Sequence, residues 1–121
     1  MKTKPHKNLE AWKKAIELTV KTYRLTETLP TDERFGLTAQ MRRAAISVAS
    51  NIAEGAAKDK KKEFIRYLHT ARASLSELDT QAVICKELGY LSAKALDLLG
   101  EEFERESKLI TGLIKFLRKT E

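Results

Sequence analysis

The sequence predicts an all-α protein: one domain over residues 1–121, folded as an antiparallel up-down-up-down four-helix bundle. Three observations carry this. Apolar residues recur at three- and four-residue spacing along four long segments, and no segment alternates with the period of a strand. Pro30, Gly55 and Gly89 punctuate the chain between those segments. The connections are short, which favours neighbouring helices running in opposite directions.

The first helix is expected from about Leu9 to Leu29, capped by Asn8 and stopped by Pro30. Leu9, Trp12, Ile16, Val20 and Tyr23 form its expected inner stripe. Thr31 to Arg34 makes the next connection. The second helix runs from a Thr38 cap to Gly55, which is expected to close it in the left-handed conformation. Met41, Ala45, Val48 and Ile52 define its core face. Lys58, Asp59, Lys60, Lys61 and Lys62 form the following turn, with Asp59 as the expected cap of the third helix. Phe64, Leu68, Ala71, Leu75, Leu78, Ala82 and Cys85 then alternate by four and three residues, a coiled-coil-like seam that Gly89 closes. Ser92 caps the fourth helix, whose seam is Leu96, Leu99, Phe103, Ile110, Leu113 and Leu117. Glu106 interrupts that seam. Either it is a buried polar contact, or the stripe shifts there to Leu109.

Composition narrows the class. Charged residues make up 33% and hydrophobic ones 42%, which fits a packed bundle and not a disordered chain. No apolar run approaches the roughly 20 residues of a membrane span. The basic stretch from Met1 to Lys7 has no apolar run after it, so it does not read as a secretory signal. The single cysteine, Cys85, has no partner and reads as a small core side chain; this fits a reducing cytoplasm.

Charge is unevenly spread. Residues 1–75 carry 16 basic and 8 acidic groups, net +8, whereas residues 76–121 are net −2. In an up-down bundle the N-terminus, the turn between the second and third helices, and the C-terminus share one end. Lys4, Lys7, Lys13, Lys14, Lys58, Lys60, Lys61, Lys62 and Arg66 would gather there, with Lys2, Lys115, Arg118 and Lys119. These are the candidate nucleic-acid contacts, directed at phosphates and so largely independent of base sequence. Tyr67, off the main seam and beside Arg66, is the best aromatic candidate for nucleic-acid contact, with a residue facing a partner as the equal alternative.

The second helix has few charges. Between Thr38 and Ala57 they are Arg42, Arg43 and Glu54, and Ile46, Ser50 and Ala57 occupy its back. An ordinary surface helix has a charged outer face, so this one is expected to meet a neighbouring subunit. Arg43, Ile46, Ser47, Ser50, Asn51 and Glu54 are the candidate interface residues. Gln40, Ser47, Asn51 and Glu54 also form a polar stripe, read as hydrogen bonding between helices or subunits, with a small-ligand notch as the alternative.

This same stretch resembles the signature of the bacterial four-helix-bundle proteins known as 23S rRNA intervening-sequence proteins. The matching residues are Phe35-Gly36-Leu37-Thr38, Gln40, Arg42-Arg43-Ala44-Ala45 and Ser50-Asn51-Ile52-Ala53-Glu54-Gly55. The likeness continues through Leu9, Ala11 to Ala15, Glu63-Phe64, Tyr67-Leu68, Ser74-Leu75, Glu77-Leu78, Thr80-Gln81 and Leu88 to Leu91. Where family members often carry proline, this chain has Ala49, which implies a straighter helix. The resemblance implies genes placed in ribosomal RNA insertions. It also implies kinship with accessory subunits of retroelement reverse transcriptases that form a basic pentameric ring. A homopentamer binding nucleic acid, RNA above DNA, is the resulting expectation; an adaptor for a protein partner is the alternative.

Enzyme chemistry finds little footing. His6 and His69 lack Glu-x-x-His spacing, and no His-Glu-x-x-His, Cys-x-x-Cys or phosphate-cradling glycine motif occurs. No catalytic, metal-ligating or cofactor-binding residues are assigned, and His69 is read as a half-exposed structural residue.

Overall fold

The computed structural model describes residues 5–120. A short 3-10 turn over Pro5–Asn8 leads into α1 (Glu10–Thr26), and a second over Thr31–Glu33 precedes α2 (Leu37–Ala56). Then come α3 (Lys61–Glu87) and α4 (Ala93–Lys119). Each helix packs on the next, and α4 returns to α1. Side-chain pairings give the directions. Thr19 reaches Ala45 while Thr26, further along α1, meets Arg42, earlier in α2. Met41 lies against Cys85, Ser47 against Ser74, and Gly55 against Tyr67. Arg72 meets Thr111 and Lys61 meets Thr120. Every successive pair is antiparallel, so the bundle is up-down-up-down.

The core follows the expected seams in three helices. Met41, Ala45, Val48 and Ile52 are buried, as are Leu68, Ala71, Leu75, Leu78, Ala82 and Cys85, and Phe103, Ile110 and Leu117. Phe64, Leu96, Leu99 and Leu113 pack against that core while only partly buried.

In α1 the expectation holds only at the start, where Leu9 and Trp12 pack against the core while partly buried, and fails beyond it. Ala11, Ala15, Leu18, Thr22 and Thr26 are buried, whereas Ile16, Val20 and Tyr23 face outward. Both stripes have helical period, and the smaller residues won because alanines let α1 close on its neighbours. The two threonines tolerate burial because their hydroxyls donate to carbonyls one turn back: Thr22 to Leu18 at 2.7 Å and Thr26 to Thr22 at 2.7 Å. The helix is also shorter than expected, and Leu9, not Asn8, holds its N-cap position.

The ends of α2 differ as well. Thr38 lies inside the helix. Gly36 is the N-cap residue, and the Glu33 carboxylate accepts from Leu37 N at 3.2 Å. Tyr90 donates its hydroxyl hydrogen to the same carboxylate at 3.0 Å, which fixes it from the α3–α4 connection at the same end of the bundle. Gly55 does not close the helix in a left-handed conformation, since Gly89 alone among the described residues has positive φ, 81°. A Cβ at Gly55 would lie 2.7 Å from Tyr67 Cβ and 2.9 Å from Phe64 Cδ1. Its glycine is required because α2 and α3 approach there. Lys60, not Asp59, precedes α3. At the other end of α3, Gly89 N donates to Lys86 O at 3.0 Å and Tyr90 N to Cys85 O at 2.8 Å, the two bonds of a Schellman motif. Ser92 Oγ accepts from Ala95 N at 3.1 Å, capping α4 as expected.

Glu106 stays on the α4 seam and is wholly buried, without a hydrogen-bond partner for either carboxylate oxygen. Leu109 is only half-buried, so the stripe does not shift. Burial pushes the Glu106 pKa up to about 8, against the pull of nearby Lys14.

Candidate functional site

Three parts of the chain meet at one end of the bundle. The His6 ring stands edge-on to Trp12 at 4.8 Å, and both border Ala53 near the end of α2. The Lys61 ammonium donates to Thr120 O at 2.6 Å, tying the start of α3 to the end of α4. The opposite end joins the second 3-10 turn to the α3–α4 connection through Glu33 and Tyr90.

At the first end Lys58, Lys60, Lys61 and Lys62 are all exposed, and none forms an ion pair with a carboxylate among the described residues. Arg66 is engaged differently. Its guanidinium grips Glu63 with two contacts of 3.1 Å, and that hydrogen bonding holds the Glu63 carboxyl below its usual range. Arg66 also lies over the Tyr67 ring at 4.9 Å, with Lys58 at 5.7 Å. Tyr67 is half-buried and carries these two cations on its ring, which adds to the positive field of the turn. Lys7 is exposed; Lys13 is exposed and 3.6 Å from Glu10. Lys4 lies outside the described residues. Lys14 stands apart from this group. Its side chain is 12% exposed and pairs with Glu102 at 3.0 Å and Glu17 at 3.5 Å. Lys21 reaches the same Glu102, whose pKa these lysines lower, Lys21 most. Lys14 therefore binds α1 to α4 and is not presented at the end of the bundle.

The polar residues of α2 divide in two. Ser47 shares a hydrogen bond of 2.8 Å with Ser74, and Asn51 donates to Ser47 O at 2.8 Å and Ser47 Oγ at 3.0 Å. Ser47 thus joins α2 to α3, and Asn51 holds the Ser47 hydroxyl from one turn along α2. Gln40, Arg43, Ile46, Ser50 and Glu54 are exposed. Beside them the outward stripe of α1 completes an apolar face. An open notch of about 330 Å³ is bordered by Trp12, Ile16, Ile46 and Ala49. A second of about 560 Å³ continues from Ile46 to Tyr23, Phe35 and Arg42. Phe35 is 82% exposed with the Arg34 guanidinium 4.7 Å from its ring centre, and Arg42 lies 4.4 Å from that of Tyr23. Sequence reasoning missed the share of α1 and Phe35 in this face. The available signal is the pair of competing stripes in α1, of which the bulkier faces outward beyond Trp12.

Catalytic chemistry has little to work with among the described residues. No group of three or more His, Cys, Asp or Glu is placed to hold a metal. Cys85 is buried with its thiol 3.5 Å from Met41 Sδ, and burial pushes its pKa up, away from the reactive thiolate. No described helix is long and apolar enough to cross a membrane.

Comparison with known proteins places the fold. The chain superposes on a crystal structure of a protein of unknown function from the S23 ribosomal protein family of Bacteroides thetaiotaomicron. The TM-score is 0.63 with 21% identity, over 91% of this chain and 96% of that one. None of the curated proteins matches the chain. The family pattern of the 23S rRNA-intervening sequence protein matches residues 7–112, and with a four-helix bundle carrying that pattern over nearly its whole length, the chain belongs to this family.

Proposed function

We propose that this chain is a non-enzymatic subunit of a homo-oligomer, pentameric by the family resemblance, that binds nucleic-acid phosphates through its basic end, RNA before DNA. One observation carries the reading: four exposed lysines in five residues, none in an ion pair with a carboxylate among the described residues, at the end where the N-terminal turn, the α2–α3 connection and the end of α4 meet. Lysines so placed gain counterion-release free energy from any phosphate backbone. Reversing Lys58, Lys60, Lys61 and Lys62 to glutamate is expected to lower affinity for a single-stranded RNA at low salt by on the order of 100-fold or more. Unchanged binding in a gel shift would remove the turn from the interface.

The assembly is supported by the α1–α2 face. Ile16, Val20, Tyr23 and Ile46 are large apolar residues left outward on adjacent helices, and contiguous patches of this kind mark protein contacts. The face takes in Arg43, Ile46 and Ser50 from the residues expected in sequence, with Glu54 exposed near its edge, and leaves Ser47 and Asn51 to the protomer. With protomers parallel around a ring, their basic ends form one surface. Light scattering is expected to give about five times 13.7 kDa. A Val20→Glu/Ile46→Glu variant is expected to fall to 13.7 kDa while remaining helical. A parent of monomer mass would contradict the assembly.

A second reading, an adaptor for a protein partner such as a reverse transcriptase, draws on Phe35 with Arg34 and Tyr23 with Arg42, since aromatic and arginine side chains dominate binding hot spots. Recovery of one stoichiometric protein after nuclease treatment would favour it.

A further inference from the structure

Away from the lysine turn, along the groove between α3 and α4, two arginines converge on one histidine. Arg72 Nη2 lies 3.0 Å from His69 Nδ1, and Arg118 Nη2 lies 3.3 Å from His69 Nε2. Arg72 also donates through Nη1 to Thr111 Oγ1 at 3.1 Å, which sets its fork across the groove. A guanidinium has only hydrogens to offer, and a neutral imidazole has one acceptor nitrogen and one N–H. One of the two arginine contacts is therefore a hydrogen bond, and the other sets donor against donor. No carboxylate relieves the cluster: among the described residues, arginine ion pairs are confined to Arg66 with Glu63. Lys62, two turns before His69 on α3, and Lys115, three residues before Arg118 on α4, lie on the same helix faces and are exposed.

We propose that His69, Arg72 and Arg118 form an oxyanion site that takes a phosphoryl group. A phosphate oxygen placed between the guanidiniums accepts from both and from the imidazole N–H, so it supplies the acceptor that the cluster lacks. Planar guanidinium forks suit phosphate better than they suit chloride, because two parallel N–H bonds can meet two oxygens. The half-buried setting of His69 and Arg72 shields these bonds more than the exposed lysines are shielded. The group can come from a nucleic-acid backbone, continuing the track from Lys62, or from free phosphate. The site stands on its own geometry and survives if the lysine turn proves idle.

The chain has 2 histidines, so the imidazole signals of His69 can be read against those of His6. Inorganic phosphate is titrated into the full chain at fixed pH, with ionic strength held constant by exchange for chloride. The proton resonances of His69 are expected to shift saturably while those of His6 stay in place. An Arg72→Gln/Arg118→Gln variant is expected to lose the shift. No movement of His69 in the parent, or the same movement with chloride alone, would overturn the site without reference to any variant; an equal shift in a folded variant would overturn it too. A second arm uses a single-stranded RNA. A fall in affinity of about fivefold or more in the same variant, with the salt slope reduced by about one, assigns the site to backbone phosphate. A saturable phosphate shift in the parent that the variant loses, with RNA affinity unchanged by the substitutions, assigns it to free phosphate. RNA binding lost on lysine reversal beside an intact phosphate shift separates the two surfaces.

Discussion

A Glu106→Met variant is expected to be more stable than the parent at neutral pH by about 3 kcal/mol. The carboxyl is fully buried, neither oxygen has a partner, and its pKa is pushed up to about 8 from 4.5. Below the unfolded value both states hold the proton, and the group costs nothing through titration. Between 4.5 and 8 the folded state keeps the proton and the unfolded state loses it, so stability falls as pH rises. Above 8 the folded state also ionises and the loss levels off. Methionine has similar length, is a good helix former and needs no proton. The gain should therefore be small at pH 5 and largest above pH 8, read by denaturant unfolding at matched protein concentration. Parallel stability curves for the two proteins across this range would show that Glu106 is already ionised in the fold.

The second large effect is expected at Gly55. Alanine in place of a helical glycine ordinarily gains up to about 1 kcal/mol. Here the new methyl would lie 2.7 Å from Tyr67 Cβ and 3.3 Å from Phe64 O, against backbone and a Cβ that cannot swing away. Overpacking of this kind costs about 1–3 kcal/mol and pushes the helices apart. Gly55→Ala is expected to lower stability by about 2 kcal/mol, and Gly55→Leu to lower it further. The displaced Tyr67 carries Lys58 and Arg66 over its ring, so the RNA affinity proposed for the lysine turn should drop with stability. A Gly55→Ala protein that melts higher than the parent would mean that α2 and α3 yield freely at this crossing.

Much of the bundle was legible because its determinants are local. The α3 seam, the Gly89 closure and the Ser92 cap each depend on residues a few positions apart, and each stands as expected. Apart from the caps expected at Asn8 and Asp59, each one residue out, the misreadings share one cause, which is dependence on distant chain. The start of α2 is held by Glu33, itself fixed by Tyr90, 57 residues further along the chain. Gly55 answers to Phe64 and Tyr67 on α3. Lys14 is drawn from the basic end by Glu102, 88 residues away. In α1, two stripes of equal period compete, and only the neighbouring helices decide that Ala11 and Ala15 go inward. Of the candidate site, the lysine turn was readable as a run of charge. The α1 half of the apolar face and the His69 cluster were not, because each is assembled by packing between helices.

The proposed function requires a basic end that reads phosphates and not bases. Its most direct test measures the affinity of the full chain for two single-stranded RNAs of equal length and unrelated sequence, across a series of salt concentrations. Equal affinities are expected, falling together with salt, with a log–log slope near −0.7 for each phosphate engaged and about three units or more in total. Affinities that differ between the two RNAs and barely respond to salt, or no binding at the lowest salt, would contradict it.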